Sequence, residues 1–283
     1  MTKKELEARE KAVLAAYRDN NVGKAVNYII DDLIEKYKIK KLYRFRPPEE
    51  YEIDAIEHLY LYMCRPMKYE DKGDCKWIDN LEDLVKFYIN NDRSLWKNIQ
   101  KYGRYNIYRI AAENIRNNPK YRAVQDIARN MCVIACATDK ISDYMWENYA
   151  SKKTGVALEY DLQNILKQLC LMPDIKLFPV RYVDERANTE DIWFGPEDYN
   201  SEGNDKILQK YILSCLTKNR FPYSQESEWR FISLTPETSM HYENLKHPFI
   251  RPNKIILGEN IEKNKQFEYK IIECAETYNI AYS

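Results

Sequence analysis

Apolar residues recur at helical spacing near the start of the chain. Leu6, Val13, Leu14 and Tyr17 form one stripe, and Val26, Ile29, Ile30, Leu33, Ile34 and Tyr37 form a second. Thr2 and Glu5 stand at the spacing of a capping box, and Asn20-Asn21-Val22-Gly23 separates the stripes. The pattern predicts a helical hairpin over residues 1–40, an N-terminal extension of the main domain. The period then changes. Apolar runs of strand length occur at Leu42–Phe45, Leu59–Cys64, Met131–Ala137, Gly155–Tyr160, Ile175–Val183, Trp229–Leu234 and Ile255–Leu257. Helical stretches lie between them, near 49–58, 81–130 (broken at Asn117-Asn118-Pro119), 141–150, 161–169 and 206–216. The chain closes with a strand or helix at 268–278.

Strands and helices do not alternate regularly, which favours an α+β fold over a doubly wound sheet. The expected core is a mixed, mainly antiparallel sheet of about seven short strands with flanking helices. Residues 41–283 read as a single domain, with a helical insertion at about 81–130. No internal repeat or long linker divides it.

Composition agrees with a packed interior. The chain has 283 residues, of which 45% are hydrophobic and 31% charged, with only 7 glycines. Such a chain can bury a core and resists disorder. The first residues, Met1-Thr2-Lys3-Lys4-Glu5, run directly into charged helix, and no apolar run approaches the ~20 residues that span a bilayer. A cytoplasmic protein with no membrane partner is expected. The seven cysteines are irregularly spaced without a C-x-x-C pair, as expected of reduced thiols.

Formal net charge is zero, so the whole molecule has no pull toward nucleic acid or anionic lipid. Local charge is segregated. Residues 49–83 and 184–205 are acidic. Residues 93–130 carry Arg93, Lys97, Lys101, Arg104, Arg109, Arg116, Lys120, Arg122 and Arg129 against Glu113 and Asp126. Trp96, Tyr102, Tyr105, Tyr108 and Tyr121 interleave with these bases. Lysine and arginine neutralise phosphates and aromatic rings stack bases, so Lys97, Lys101, Arg104 and Arg109 form a candidate nucleic-acid face. A solvated helix pairing with the acidic blocks fits the same pattern.

Several chemistries lack their motifs. His58, His241 and His247 have no ligand spacing, so no metal site is expected. Neither G-x-G-x-x-G, Walker A nor G-x-S-x-G occurs. Three segments remain. In Leu42-Tyr43-Arg44-Phe45-Arg46, alternation puts Tyr43 and Phe45 on one face and Arg44 and Arg46 on the other. An arginine on a strand beside a cleft can hold a phosphate or carboxylate; a solvated edge strand is the plainer reading. In Met145-Trp146-Glu147-Asn148-Tyr149-Ala150, Trp146 and Tyr149 could wall a planar ligand, or simply pack on the sheet. In Ser224-Gln225-Glu226-Ser227-Glu228-Trp229-Arg230, strand spacing puts Glu226, Glu228 and Arg230 on one side. Two carboxylates ~7 Å apart can divide labour, and Arg230 would keep at least one ionised. A surface ladder of salt bridges is the alternative.

Together these segments resemble a bacterial family, the domain-of-unknown-function family 2971. Its L-Y-x-[FY] strand is matched by Leu42–Phe45, its M-W-x-x-Y-A and following glycine by Met145–Ala150 and Gly155, and its E-x-E-W-R by Glu226–Arg230. The likeness covers roughly residues 40–260. The family's F-N-D-P-F-[DE] loop is replaced by Lys68-Tyr69-Glu70-Asp71-Lys72-Gly73-Asp74. A more distant likeness is to the ADP-ribosyltransferase fold, though its Ser-x-Ser strand has no counterpart here. That resemblance implies NAD as cofactor, Glu228 as the catalytic anion and Glu226 as the residue orienting the acceptor. It implies that Arg44 holds phosphate, with Tyr43, Arg46, Trp146, Tyr149 and Arg230 beside the cofactor. It also implies a protein or nucleic-acid acceptor, in a toxin or phage-defence setting. The alternative is a non-enzymatic nucleic-acid or nucleotide-binding module that uses the basic 93–130 face. The enzyme reading requires Arg44, Tyr149 and Glu228 to line one cleft.

Overall fold

The computed structural model describes residues 1–18, 33–69, 74–75, 78–79, 81–91, 93–119, 132–172, 174–195, 198, 205–234 and 245–283. Helix α1 (Lys3–Arg18) begins the chain. Strand β1 (Lys41–Arg46), helix α2 (Glu50–Glu57), β2 (Tyr60–Tyr62) and β3 (Ile78–Asp79) follow. Helices α3 (Leu81–Asn91) and α4 (Arg93–Asn117) pack on one another around Leu84, Val85, Ile107 and Ala111. Then come β4 (Cys132–Thr138), α5 (Asp143–Tyr149), β5 (Val156–Asp161), α6 (Leu162–Cys170), β6 (Ile175–Pro179), β7 (Arg181–Val183) and β8 (Trp193–Phe194). Helix α7 (Asp205–Cys215), β9 (Thr217–Asn219), β10 (Glu228–Leu234), β11 (Lys246–Pro248), β12 (Lys254–Leu257), α8 (Lys265–Thr277) and β13 (Ala281–Tyr282) complete it.

The main sheet has seven strands in the order β13-β12-β5-β1-β4-β10-β6. Every pairing is antiparallel except β12 with β13. The fold is therefore the expected α+β arrangement. Short strand pairs β11-β2, β3-β8 and β7-β9 flank it. The apolar runs become central strands because both sides of the sheet are covered. Leu42, Leu158, Trp229 and Phe231 are buried in the main core, while Phe45 and Ala157 pack under Met145 and Ala150 of the α5 segment. No helix among the described residues is long and apolar enough to cross a membrane.

Helix α1 is present as predicted, but its buried face differs. Among the described side chains the buried positions are Glu5, Arg9, Ala12 and Val13, whereas Leu6 and Leu14 are only half-buried; the side chain of Tyr17 lies outside the described residues. Two charged residues thus occupy the inner stripe. Only half of the capping box forms: the Glu5 N–H donates to Thr2 Oγ1 at 3.3 Å, while the Glu5 side chain pairs with Lys140 at 2.7 Å. The interruption at Asn20–Gly23 and the stripe from Val26 to Ile30 lie outside the described residues, as do 120–131. The closing segment is helix, since Phe267, Ile271, Cys274 and Ala275 bury one helical face.

A second break interrupts the basic stretch. Gly103 sits at φ 76° inside α4, a conformation that glycine adopts without a Cβ penalty.

Candidate functional site

The site grows from an irregular turn. Strand β9 delivers Lys218, a one-turn 3-10 helix covers Tyr223–Gln225, and β10 begins only at Glu228. Glu226 has helical dihedrals (φ −69°, ψ −28°), and Ser227 is left-handed at φ 47°. Glu226 and Glu228 therefore do not share a strand face through simple alternation. The left-handed residue turns both carboxylates inward onto one ammonium. Lys218 Nζ lies 2.5 Å from Glu226 Oε2 and 3.0 Å from Glu228 Oε2. A left-handed non-glycine costs roughly 1–2 kcal/mol. Hydrogen bonds around it offset this: Ser227 Oγ donates to Asp139 at 2.5 Å, and Thr138 Oγ1 donates to the Glu226 carbonyl.

The cluster continues inward. Arg230 is fully buried. Its Nε donates to Glu228 Oε1 at 2.8 Å and its NH2 to Asp74 Oδ2 at 2.7 Å. It also donates to the Cys215 carbonyl. Toward solvent, Tyr149 Oη donates to Glu226 Oε1 at 2.5 Å, and Tyr149 is 41% exposed. Cys136 is exposed although β4 lies mid-sheet, with Tyr69 Oη 3.8 Å from its sulfur. Lys218, Glu226, Glu228 and Arg230 are all buried, so the cluster is not a surface ladder.

Electrostatics divide the two glutamates. Burial raises the Glu226 carboxyl, the negative Glu228 raises it further, and Lys218 opposes; the result is pushed up to about 7. Burial acts on Glu228 too, but Arg230 and Lys218 outweigh it and hold that carboxyl far below the usual range. Burial would deprotonate Lys218, yet Glu228, Asp74 and Glu226 keep its ammonium well above the ordinary value. Burial and the neighbouring Glu226 push the Tyr149 phenol up, so it remains a hydrogen-bond donor. Near neutral pH the cluster holds one fixed anion and one carboxyl that exchanges a proton.

Other sequence candidates stand elsewhere. Tyr43, Thr138 and Glu228 lie in one row across β1, β4 and β10 and share a face. Arg44 is one residue out of that row, opposite Leu158, so alternation turns it to the other face. It does not line one cleft with Tyr149 and Glu228, as the enzyme reading had required. It is 6% exposed, its Nε lies 3.4 Å from the Cys136 carbonyl, and burial lowers its basicity. Arg46 is held by Glu52 at 2.6 Å. Trp146 packs edge-on against Phe45, centroids 4.9 Å apart, so it serves the core.

Tyr43 lines a cavity of about 370 Å³ at the end of the sheet, with Lys38, Lys40, Lys41 and Lys140. On α4, Lys101 and Arg109 are exposed beside Tyr105 and Tyr108. The side chains of Lys97 and Arg104 lie outside the described residues. Among the described residues no group of three or more His, Cys, Asp or Glu is arranged to hold a metal.

Lys218, Asp74, Arg9 and Asp139 belong to the site but carry no motif. Arg9 alone had a usable signal, as a charged residue on the stripe completed by Ala12 and Val13. No curated protein and no solved structure matches the chain. Residues 145–231 match the model of the family described as Protein of unknown function (DUF2971), from Met145 of the M-W-x-x-Y-A segment to one residue past Arg230 of the E-x-E-W-R segment.

Proposed function

We propose that the protein is an enzyme that transfers ADP-ribose from NAD, with Glu226 as proton acceptor and Glu228 as fixed anion. The observation that carries this reading is the divided ionisation of the two carboxylates on Lys218. In the reaction, the bond between ribose C1 and nicotinamide breaks, and its electron pair leaves with nicotinamide. A nucleophile of the acceptor, a protein or nucleic-acid group, bonds to C1 and gives its proton to Glu226. A carboxyl of pKa near 7 suits that task at neutral pH. Glu228 contributes negative potential beside the ribosyl cation, tempered by its two cationic partners.

The cavity beside Tyr43, which Glu5 and Asp139 also line, would bind phosphate in this reading through Lys38 and Lys40, in place of Arg44, since Lys41 and Lys140 are paired with Glu159 and Glu5. It lies in the row of Glu228, two strand spacings or about 10 Å away. Cys64, Cys75, Cys136, Cys170 and Cys274 are reduced thiols, which suits a cytoplasmic setting. A toxin or phage-defence role is the context that the reading carries with it.

The test is nicotinamide release from NAD by the pure protein, with and without lysate and nucleic acid. Release should fall by roughly 100-fold or more in Glu226→Gln. No release, together with no NAD binding by calorimetry, would overturn the proposal. A second reading, a nucleic-acid-binding module, rests on Tyr105, which is 81% exposed beside the bases of α4.

A further inference from the structure

Arg9 of α1 is fully buried, and its guanidinium is spent on the turn that carries the two glutamates. NH1 donates to the Glu228 carbonyl at 2.9 Å, and NH2 donates to Ser227 Oγ at 3.1 Å and pairs with Asp139. Asp139 in turn accepts from Ser227 Oγ at 2.5 Å and from Trp229 Nε1 at 2.9 Å. The guanidinium also lies over the Trp229 ring, 5.5 Å from its centroid. Every one of these contacts falls on residues 227–229 or on their partner Asp139. A helix 219 residues away in sequence from Glu228 thus supplies a forked clamp on the left-handed residue between the two acids.

We infer that Arg9 is a positioning residue: by clamping Ser227 it holds Glu226 and Glu228 on the shared Lys218, making α1 an integral part of the site. The groups facing Glu226 are Tyr144 and Tyr149 from α5, Lys218 from β9, Glu228 from β10 and Tyr182 from β7. Without the clamp Ser227 relaxes to negative φ, and Glu226 swings away from this set toward water. Its titration then returns toward that of an ordinary glutamate. The inference needs only the geometry of the cluster and holds whatever group the enzyme transfers.

The experiment is a carbon-13 carboxyl NMR titration of the full chain, with the Glu226 signal assigned by its loss in Glu226→Gln. Arg9→Lys is the decisive variant. It keeps the positive charge beside Asp139 but lacks the planar fork that reaches Ser227 and the Glu228 carbonyl together. The Glu226 midpoint should fall by about one pH unit or more in Arg9→Lys. Adding Ser227→Gly should restore it, because glycine takes a left-handed φ without help. An unmoved midpoint in folded Arg9→Lys, or a drop that Ser227→Gly does not recover, would overturn the inference. Should Arg9→Lys fail to fold, Asp139→Asn weakens the same clamp from its other side, with the same two outcomes. NMR reads the carboxyl without turnover. A wild type that neither releases nicotinamide nor binds NAD, while Arg9→Lys moves Glu226, would sink the transfer reading alone.

Discussion

Lys218 and Glu226 meet at 2.5 Å inside the protein, although Lys218 lies in the middle of β9 and Glu226 follows the turn at Tyr223–Gln225. The contact exists because the chain between them turns back through Tyr223–Gln225, and because Ser227 reverses the backbone before β10 starts. The ammonium is shared with Glu228 and lies 3.8 Å from Asp74, so one cation serves three carboxylates.

Lys218→Met should therefore destabilise the fold strongly. Breaking a buried pair leaves uncompensated charge, at a cost of roughly 3–5 kcal/mol. Part of that loss is relieved as Glu226 takes up a proton, so the deficit should be larger at pH 8 than at pH 5. Urea unfolding at the two pH values measures both effects; equal deficits would show that Glu226 is not coupled to Lys218.

The pH dependence of stability has a definite sign. Glu226 titrates in the folded state near 7, above its ordinary value of 4.5, so the folded protein binds more protons between those limits. Its contribution is greatest below 4.5 and is lost as pH rises through 7. Glu228 is depressed, so its contribution is present above 4.5 and is lost in acid. Glu226→Gln should remove the first slope. Relative to wild type it should gain on the order of 3 kcal/mol between pH 4.5 and 8, from a shift of about 2.5 pH units. Parallel stability curves would refute the raised titration.

Gly155 is placed where no side chain fits. A Cβ there would lie 2.1 Å from the Arg46 carbonyl oxygen, and Gly258 meets Lys153 equally closely. The two glycines are joined by the Gly258 N–H to the Gly155 carbonyl at 2.9 Å, under a left-handed run at Ser151, Lys152 and Lys153. Gly155→Ala must push apart backbone that β1 and β5 hold in register, and should cost about 3 kcal/mol, the upper end of the usual range for overpacking. Thermal unfolding checks this; an unchanged Tm would mean the loop moves freely.

The binding-module reading makes a separate prediction. If α4 holds single-stranded nucleic acid, Tyr105→Ala should cost about 1–3 kcal/mol by loss of stacking. Affinity should also fall steeply with salt, and charge reversal at Lys101 and Arg109 should flatten that slope. Fluorescence anisotropy with labelled oligonucleotides, run across a salt series, measures all three. Salt-insensitive binding would leave the exposed tyrosine as a surface feature only.

Local pattern in the sequence determined β1, β2, β4, β5, β6, β10 and β12, the α+β class and the E-x-E-W-R segment, because alternation and helical spacing act within a few residues. It gave no sign of β3, β8, β9, β11 or β13, and it did not show that β2 pairs outside the main sheet while β13 joins it. Trp146 was legible only as an aromatic on a helix; whether it faced a ligand or Phe45 depended on β1 beneath it. Arg44 looked like a site residue because strand spacing shows that neighbours face opposite ways, but not which face opens to water. Arg230 and Asp74 are 156 residues apart, and Arg9 and Glu228 are 219 apart, so nothing in either segment announces the other. Even the convergence of Glu226 and Glu228, anticipated from spacing, arises from a left-handed Ser227 that strand geometry does not contain. Sequence specified which ionisable groups were present and which short elements carried them. Tertiary packing alone decided which carboxylate would be stripped of water beside another and which would be locked by cations, because burial and Coulomb attraction depend on distance in space.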